Sequence, residues 1–426
     1  MAYTIGTLTE SSLNANDCHE QLIGVLRHLL GGFGDVGAIT GTRTGDGTLS
    51  GFEAAPDAVT ETWTITCTAV AVNSGTFSVT GSVSGAQAAA TVGVAYDNGL
   101  VSFTITDGAA DYQIGDDFVV PVTQGQLSAD GRAWEVMRST PTELIVKGPG
   151  LAGSDEIYIG YQAFFNSSSD VYNICQCVAT GYTPGNDFIN QPGAKYTTIP
   201  AHNKAITYYI SANGQKCSFM LKIATSIYTN GYAGKGLMYA RPSEWGYPVI
   251  NGGHFDGKTY NRYSDLANNF PYHGEAYDGI DSSVVSLFLR DAGGNWVQPS
   301  VWPYSHGETH YGSVYNYPYI IASTNAYGCI VPINGNYSIE PLIMHSHSSL
   351  NTGDLNVWGE FDGVFFVSGY SNAVENVMQL GGSTVDQSGL TPAEAIEAVK
   401  SAGGRAFIVC QNVSRTEWND FVAMEM

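Results

Sequence analysis

Ala205-Ile206-Thr207-Tyr208-Tyr209-Ile210-Ser211-Ala212-Asn213-Gly214-Gln215-Lys216-Cys217-Ser218-Phe219-Met220-Leu221-Lys222-Ile223 is the stretch that decides the fold class. Two strand-like runs flank Asn213-Gly214, and an Asn-Gly pair in that place is the strongest short-range hairpin signal, because both turn residues need positive φ. The same arrangement recurs where Ser283 to Arg290 and Asn295 to Val301 flank Asp291-Ala292-Gly293-Gly294. Strand patterning also covers Trp134 to Met137 and Glu143 to Val146. Upstream, Thr62 to Thr66, Thr76 to Thr80, Val101 to Ile105 and Phe118 to Val122 alternate or run apolar between Gly, Asn and Asp punctuation. Gly is 51 of 426 residues, about 12% against a usual ~7%. With 12% aromatic residues, that balance favours turns and sheets over helix bundles.

Two helices interrupt the pattern. In the first, Asp17 caps a run in which Glu20 closes a capping box and Leu22, Leu26, Leu29 and Leu30 keep helical spacing, until Gly31-Gly32 ends it. In the second, Thr391 caps, Pro392 takes the first turn and Glu394 closes the box. That helix is expected over Ala395 to Lys400, stopped by Gly403-Gly404, with Arg405 to Cys410 following as a strand. The expected fold is mainly β: an antiparallel sandwich or jelly-roll-like body with a few short helices and an inserted small all-β domain.

The boundary of that insertion comes from charge. No Lys, Arg or His occurs between Arg43 and Arg132, and residues 57–124 hold Asp57, Glu61, Asp97, Asp107, Asp111, Asp116 and Asp117 with no base. Residues 57–124 therefore read as the inserted β domain, 1–56 as an N-terminal strand and amphipathic helix belonging to the main body, and 125–426 as the rest of that body. Over the whole chain, 17 Lys and Arg stand against 39 Asp and Glu, a net charge of −22. A chain without a basic, phosphate-neutralising surface is a poor partner for nucleic acid. Met1 to Asn16 shows neither a basic leader nor an apolar core, and no stretch reaches the roughly 18 apolar residues of a membrane span. Synthesis in the cytoplasm without membrane insertion is expected. The seven cysteines, Cys18, Cys67, Cys175, Cys177, Cys217, Cys329 and Cys410, are odd in number and scattered, which reads as reduced and mostly buried thiols rather than a disulfide framework.

Motifs with chemistry are few. His306, Glu308 and His310, with His345 and His347, have metal-ligand residue types, but their setting fixes no coordination geometry, so they read as polar loop or interface histidines. Asp107, Asp111, Asp116 and Asp117 lack the spacing of an EF-hand loop. Neither GxSxG nor SxxK occurs, so no residue is nominated as catalytic and no metal or cofactor is expected. The richest stretch is aromatic: Trp296, Trp302, Tyr304, Tyr311, Tyr315, Tyr317 and Tyr319. Rings with a polar edge serve as anchors between subunits, stack on sugars, or pack within a sheet. Trp296, Trp302, Tyr304, Tyr311 and Tyr315 are the candidate contact residues for assembly or ligand.

Four stretches carry a family resemblance. They are Trp134 to Arg138 with Leu144 to Gly160, Arg241 to Gly253, Gly359 to Asn376, and Phe407 to Phe421. They resemble structural proteins of tailed-bacteriophage virions, of the kind found with tail and baseplate genes, and residues 57–124 look like a mobile β module inserted in other phage tail proteins. The resemblance implies a non-enzymatic virion component that forms a homo-oligomer and touches neighbouring tail or baseplate proteins. The alternative it leaves open is a receptor-binding or glycan-binding tail protein whose aromatic stretch meets a host surface glycan or receptor.

Overall fold

The structure, a computed structural model, describes residues 1–10, 17–150, 157–225, 227–238, 249–262, 264, 287–290, 294–302, 338–345, 357–368, 399–402, 405–411 and 421–426. It is mainly β, and its sheets are antiparallel. The chain divides into two compact units, Met1–Leu26 with Val136–Met426, and Arg27–Glu135.

The larger unit is built around the hairpin read above. Ile206–Ala212 and Lys216–Ala224 pair with Ala212 opposite Cys217 and Thr207 opposite Lys222. The turn works differently from the expectation, since neither Asn213 nor Gly214 takes a positive φ. Instead, the Asn213 side-chain oxygen accepts the amides of Gln215 (2.8 Å) and Lys216 (3.1 Å), an Asx-type closure. Ala2–Leu8 flanks this hairpin on one side, and on the other Ile227–Lys235, Val249–Gly252, Leu287–Arg290 and Trp296–Val297 follow in order. The last two form the expected second hairpin, Arg290 opposite Trp296; Ser283 to Ser286 and Asp291 to Gly293 lie outside the described residues.

Two further sheets cover this one. Glu135–Thr140, Glu143–Gly148, Ile157–Asn166, Val171–Ala179, Lys195–Pro200 and Phe255–Asp256 form one cover. Ser300–Trp302, Ser338–His345, Val357–Ser368, Phe421–Glu425, Arg405–Gln411 and Val399–Ala402 form the other, with Leu237–Met238 paired beside Val357–Ser368. On the first side Phe219 meets Tyr161 edge-on at 6.0 Å. On the second, Tyr232 meets Phe361 at 5.0 Å, in a core that includes Met220, Ile250, Leu342 and Val422.

The body is thus a stack of antiparallel sheets three deep. A strand covered on both faces has no solvent side to mark with polar residues. Lys216 to Leu221 are accordingly buried without a break. Close layer approach also selects small residues: a Cβ on Gly231 would lie 2.5 Å from the Phe219 ring. Gln176 crosses from the first cover, its amide donating to the Tyr232 carbonyl (2.9 Å), the Asn251 side chain (2.7 Å) and the Gly252 carbonyl (3.0 Å).

Arg27–Glu135 is a sandwich of its own. Asp35–Val36, Asp117–Thr123, Glu61–Ala71, Ser74–Gly81 and Gly85–Ala86 form one sheet, with Ala90–Thr91 beside Ser74–Gly81. Thr48–Ala54, Val101–Thr106 and Ala95–Asp97 form the second. Glu61 to Cys67 alternate buried and half-buried, and Trp63, Ile65, Phe77, Phe103 and Phe118 fill the space between sheets. The unit is wider than 57–124, because Thr48–Ala54 pairs with Val101–Thr106 and Asp35–Val36 pairs with Asp117–Thr123. Residues 27–56 therefore belong to it rather than to the main body. The loss of cations after Arg43 marks a change of surface, which is not the same thing as strand pairing.

Cys18–Gly31 forms the first helix with Leu22, Leu26, Leu29 and Leu30 buried. It ends in a Schellman closure: Gly32 at φ 67°, its amide on the Leu29 carbonyl, and the Phe33 amide on the His28 carbonyl. The second expected helix is not found where it is described. Val399–Ala402 pairs as a strand with Arg405–Gln411, Val399 opposite Ile408, while residues 391–398 lie outside the description. Cross-strand pairing next to the buried Phe407 and Ile408 overrides a local helical preference. No helix among the described residues is long and apolar enough to cross a membrane. Cys18, Cys67, Cys175, Cys177 and Cys217 are buried and unpaired, as expected, and burial pushes the Cys175 thiol to about 12. Cys329 and the Cys410 side chain lie outside the described residues.

One buried group makes the fold sensitive to acid. His19, fully buried on the first helix, stands edge-on to Tyr172 at 5.2 Å, and neither ring nitrogen finds a hydrogen-bond partner among the described residues. Burial, helped by the neighbouring His202, lowers its pKa from 6.5 to about 4. The neutral ring stabilises the fold fully above pH 6.5, where the unfolded chain is also neutral, and this contribution is lost as pH falls through the folded value near 4. The expected loss is about 3 kcal/mol between those limits. Urea melts at pH 7 and pH 4 should show a His19→Phe variant losing less stability than the native chain by that amount. Equal losses would remove His19 as the acid-sensitive group.

Candidate functional site

The aromatic stretch does not assemble into a described site. Trp296 is half-buried, its indole N–H already donating to the Gly193 carbonyl at 3.2 Å. Trp302 pairs through its backbone with Ile343 at the edge of a cover sheet, and its side chain is outside the description. Tyr304, Tyr311, Tyr315, Tyr317 and Tyr319 lie outside the described residues, as do His306, His310, His347 and the His345 side chain. Among the described residues no group of three or more His, Cys, Asp or Glu is placed to hold a metal ion.

Asp111, Asp116 and Asp117 of the smaller unit serve its loops. Asp116, 5% exposed, accepts the amides of Gln113 (2.9 Å), Gly45 (3.0 Å) and Thr44 (2.9 Å). Burial alone would raise this carboxyl, but those amides outweigh it and hold it below the ordinary carboxylate value. Asp111 takes the Asn73 amide and Asp117 the Thr42 amide.

Two places in the larger unit gather polar chemistry. The first is a seam between the central sheet and the cover that holds Val357–Ser368. Lys216 is fully buried, and its ammonium donates to the Ser218 hydroxyl at 3.0 Å. Burial lowers its pKa, while the nearby Asp362 and Glu425 raise it. Asp362 accepts the Asn213 side-chain amide at 2.6 Å, and its own N–H donates to the Tyr232 hydroxyl at 3.1 Å. The Ser211 hydroxyl donates to the Glu425 carbonyl at 2.6 Å, and Arg405 pairs with the Glu425 carboxylate. This seam ties the hairpin, Val357–Ser368 and the C-terminal strand to one another.

The second is open. At the end of the hairpin remote from its turn, Thr207 lies opposite Lys222, and residues 201–205 bring His202 and Lys204 beside them. Together with Thr225 they line a groove of about 330 Å³. Burial pushes His202 below the usual imidazole value, with Asp170 opposing the fall and Lys204 adding to it. The segment is pinned on both sides, by the Ala201 amide on the Tyr172 carbonyl (2.9 Å) and the Cys18 amide on the Asn203 carbonyl (3.0 Å).

Sequence reasoning passed over these lysines, although a signal was present. Lys204, Lys216 and Lys222 are three of only 17 Lys and Arg in the chain. Lys216, Ser218, Met220 and Lys222 also share one face by the period of two. Gly148, Gly150 and Gly153 have the spacing of a dinucleotide fingerprint, but the chain continues from strand Glu143–Gly148 to the antiparallel strand Ile157–Asn166. The fingerprint needs a following helix N-terminus and a parallel unit. Compared with protein-family models and with curated proteins, the chain gives no match.

Proposed function

We propose that this chain is a structural component of a tailed-phage virion, in the tail or baseplate, working through contacts with copies of itself and with neighbouring virion proteins. The four resembling stretches support the setting, and the N-terminal strand supports the means. Ala2–Leu8 is the outermost strand of the central sheet among the described residues. Its sequence, Ala-Tyr-Thr-Ile-Gly-Thr-Leu, has no charge and no proline, and Tyr3 and Ile5 stand 43% and 42% exposed. Sheet edges are ordinarily blunted by lysine, proline or a cover, because an open edge recruits another strand. On a chain of charge −22, an uncharged edge is also where two copies meet with least repulsion. Pairing of this strand with its own copy about a twofold axis gives a closed, self-complementary contact.

Sedimentation of the full chain tests the means, and peptide mapping of purified particles tests the setting. The native chain is expected to sediment as an oligomer, and Ile5→Lys as a smaller species with an unchanged melting point. Monomers at every concentration would overturn the self-assembly reading, and particles without peptides of this chain would overturn the virion role. The second reading, a receptor-binding or glycan-binding tail protein, is favoured by the groove at His202, Lys204 and Lys222.

A further inference from the structure

We propose that the groove lined by His202, Lys204, Thr207, Lys222 and Thr225 is a binding site for an oxyanion, the carboxylate or phosphate of a ligand no larger than a monosaccharide unit. Cations are the scarce resource of this protein, 17 against 39 acids. Two of them, Lys204 and Lys222, nevertheless line one concavity together with the His202 imidazole. Lys204 sits on the 201–205 segment and Lys222 on the Lys216–Ala224 strand, so the charges approach a bound group from different elements. Lysine is a compact point charge with three donors, suited to an oxyanion without demanding the planar fork that arginine imposes.

The histidine is set up as a further donor. The Lys204 amide donates to His202 Nδ1 at 2.9 Å, which places the ring proton of the neutral form on Nε2. A neutral ring therefore offers one N–H to the ligand without adding a third full charge beside the lysines. The Thr207 hydroxyl shares a hydrogen bond with the Thr7 hydroxyl at 3.1 Å. Because the 201–205 segment is anchored to the first helix and to Val171–Ala179, little ordering is left for the ligand to impose. The volume, about 330 Å³, lies at the small end of ligand pockets and matches one sugar unit or smaller. Specificity here is for charge and size, and any longer host polymer is gripped at a single acidic unit.

The inference rests on the groove alone and not on self-assembly, so lost binding with intact oligomers and lost oligomers with intact binding are separate results. The test is calorimetric titration of the full chain at low ionic strength with D-glucuronate, inorganic phosphate and, as the uncharged control, D-glucose. Glucuronate or phosphate should bind and glucose should not, with about tenfold weaker binding in a Lys204→Gln/Lys222→Gln variant. Added salt should weaken the native interaction, since part of it is screened charge attraction at an open site. Binding of glucuronate without phosphate identifies an acidic sugar as the ligand class, and the reverse identifies a phosphate ester. Lys204→Glu, at an exposed position, is a second variant that leaves the fold intact and should abolish binding. The proposal falls if neither anion binds below about 10 mM, or if the lysine variants bind as tightly as the native chain.

Discussion

Asp362→Ala is expected to destabilise the larger unit by about 1–3 kcal/mol, since it removes a carboxylate whose charge favours the buried Lys216 ammonium and which accepts the Asn213 side-chain amide. Lys216 would keep its ammonium at zero exposure, bonded to the Ser218 hydroxyl and with Glu425 as the carboxylate still acting on it, and Asn213 would lose one acceptor of its side-chain amide. Lys216→Met, by contrast, removes the buried charge and keeps the volume, and its expected effect is within about 1 kcal/mol. Combining the two should recover most of the loss caused by Asp362→Ala, because no ammonium then remains to be compensated. Urea denaturation of the three variants reads this coupling directly. Additive effects in the double variant would show that Lys216 and Asp362 do not interact. The pH dependence has a definite sign. Because burial lowers the folded value of Lys216, stability rises as pH climbs through that value towards the ordinary 10.5, and Lys216→Met should remove the rise.

Phe219→Ala is expected to cost about 3–5 kcal/mol, the range for deleting a buried aromatic ring. Its ring fills the layer between the central sheet and the cover carrying Tyr161, and the close backbone at Gly231 gives the site little room to collapse around the gap. The same urea melts measure it. A loss under about 1 kcal/mol would mean that the two sheets are not packed through this residue.

Much of this architecture is legible in the sequence, and for physical reasons. The Ile206–Ala212 and Lys216–Ala224 hairpin, the first helix with its glycine stop, and the strands around Trp63, Phe77, Phe103 and Phe118 all rest on local pattern. Local pattern does not report how many layers cover a strand, so the unbroken burial from Lys216 to Leu221 reads as a strand without revealing the third sheet. Nor does it outrank pairing: Val399–Ala402 follows the signals of a helix and is a strand because Arg405–Gln411 lies beside it. The polar seam is long-range, Asn213 meeting Asp362 and Ser211 meeting Glu425, and no spacing rule joins such positions. The groove was nearer to legible, since clustered lysines in an acid chain stand out by count alone.

The pairing of Ala2–Leu8 with Ile206–Ala212 has a consequence for the order of events on the ribosome. Ala2–Leu8 is made before its partner, which follows only after the intervening two hundred or so residues, a wait of roughly 10–40 s at ordinary bacterial and eukaryotic elongation rates. Arg27–Glu135 contains every strand of its two sheets and completes itself within that interval. An uncharged strand former is therefore held without its partner while the rest of its own unit is translated. It is the segment on which a trigger-type chaperone should be found in stalled nascent chains, and the protection should vanish once the stall point passes the Lys216–Ala224 strand.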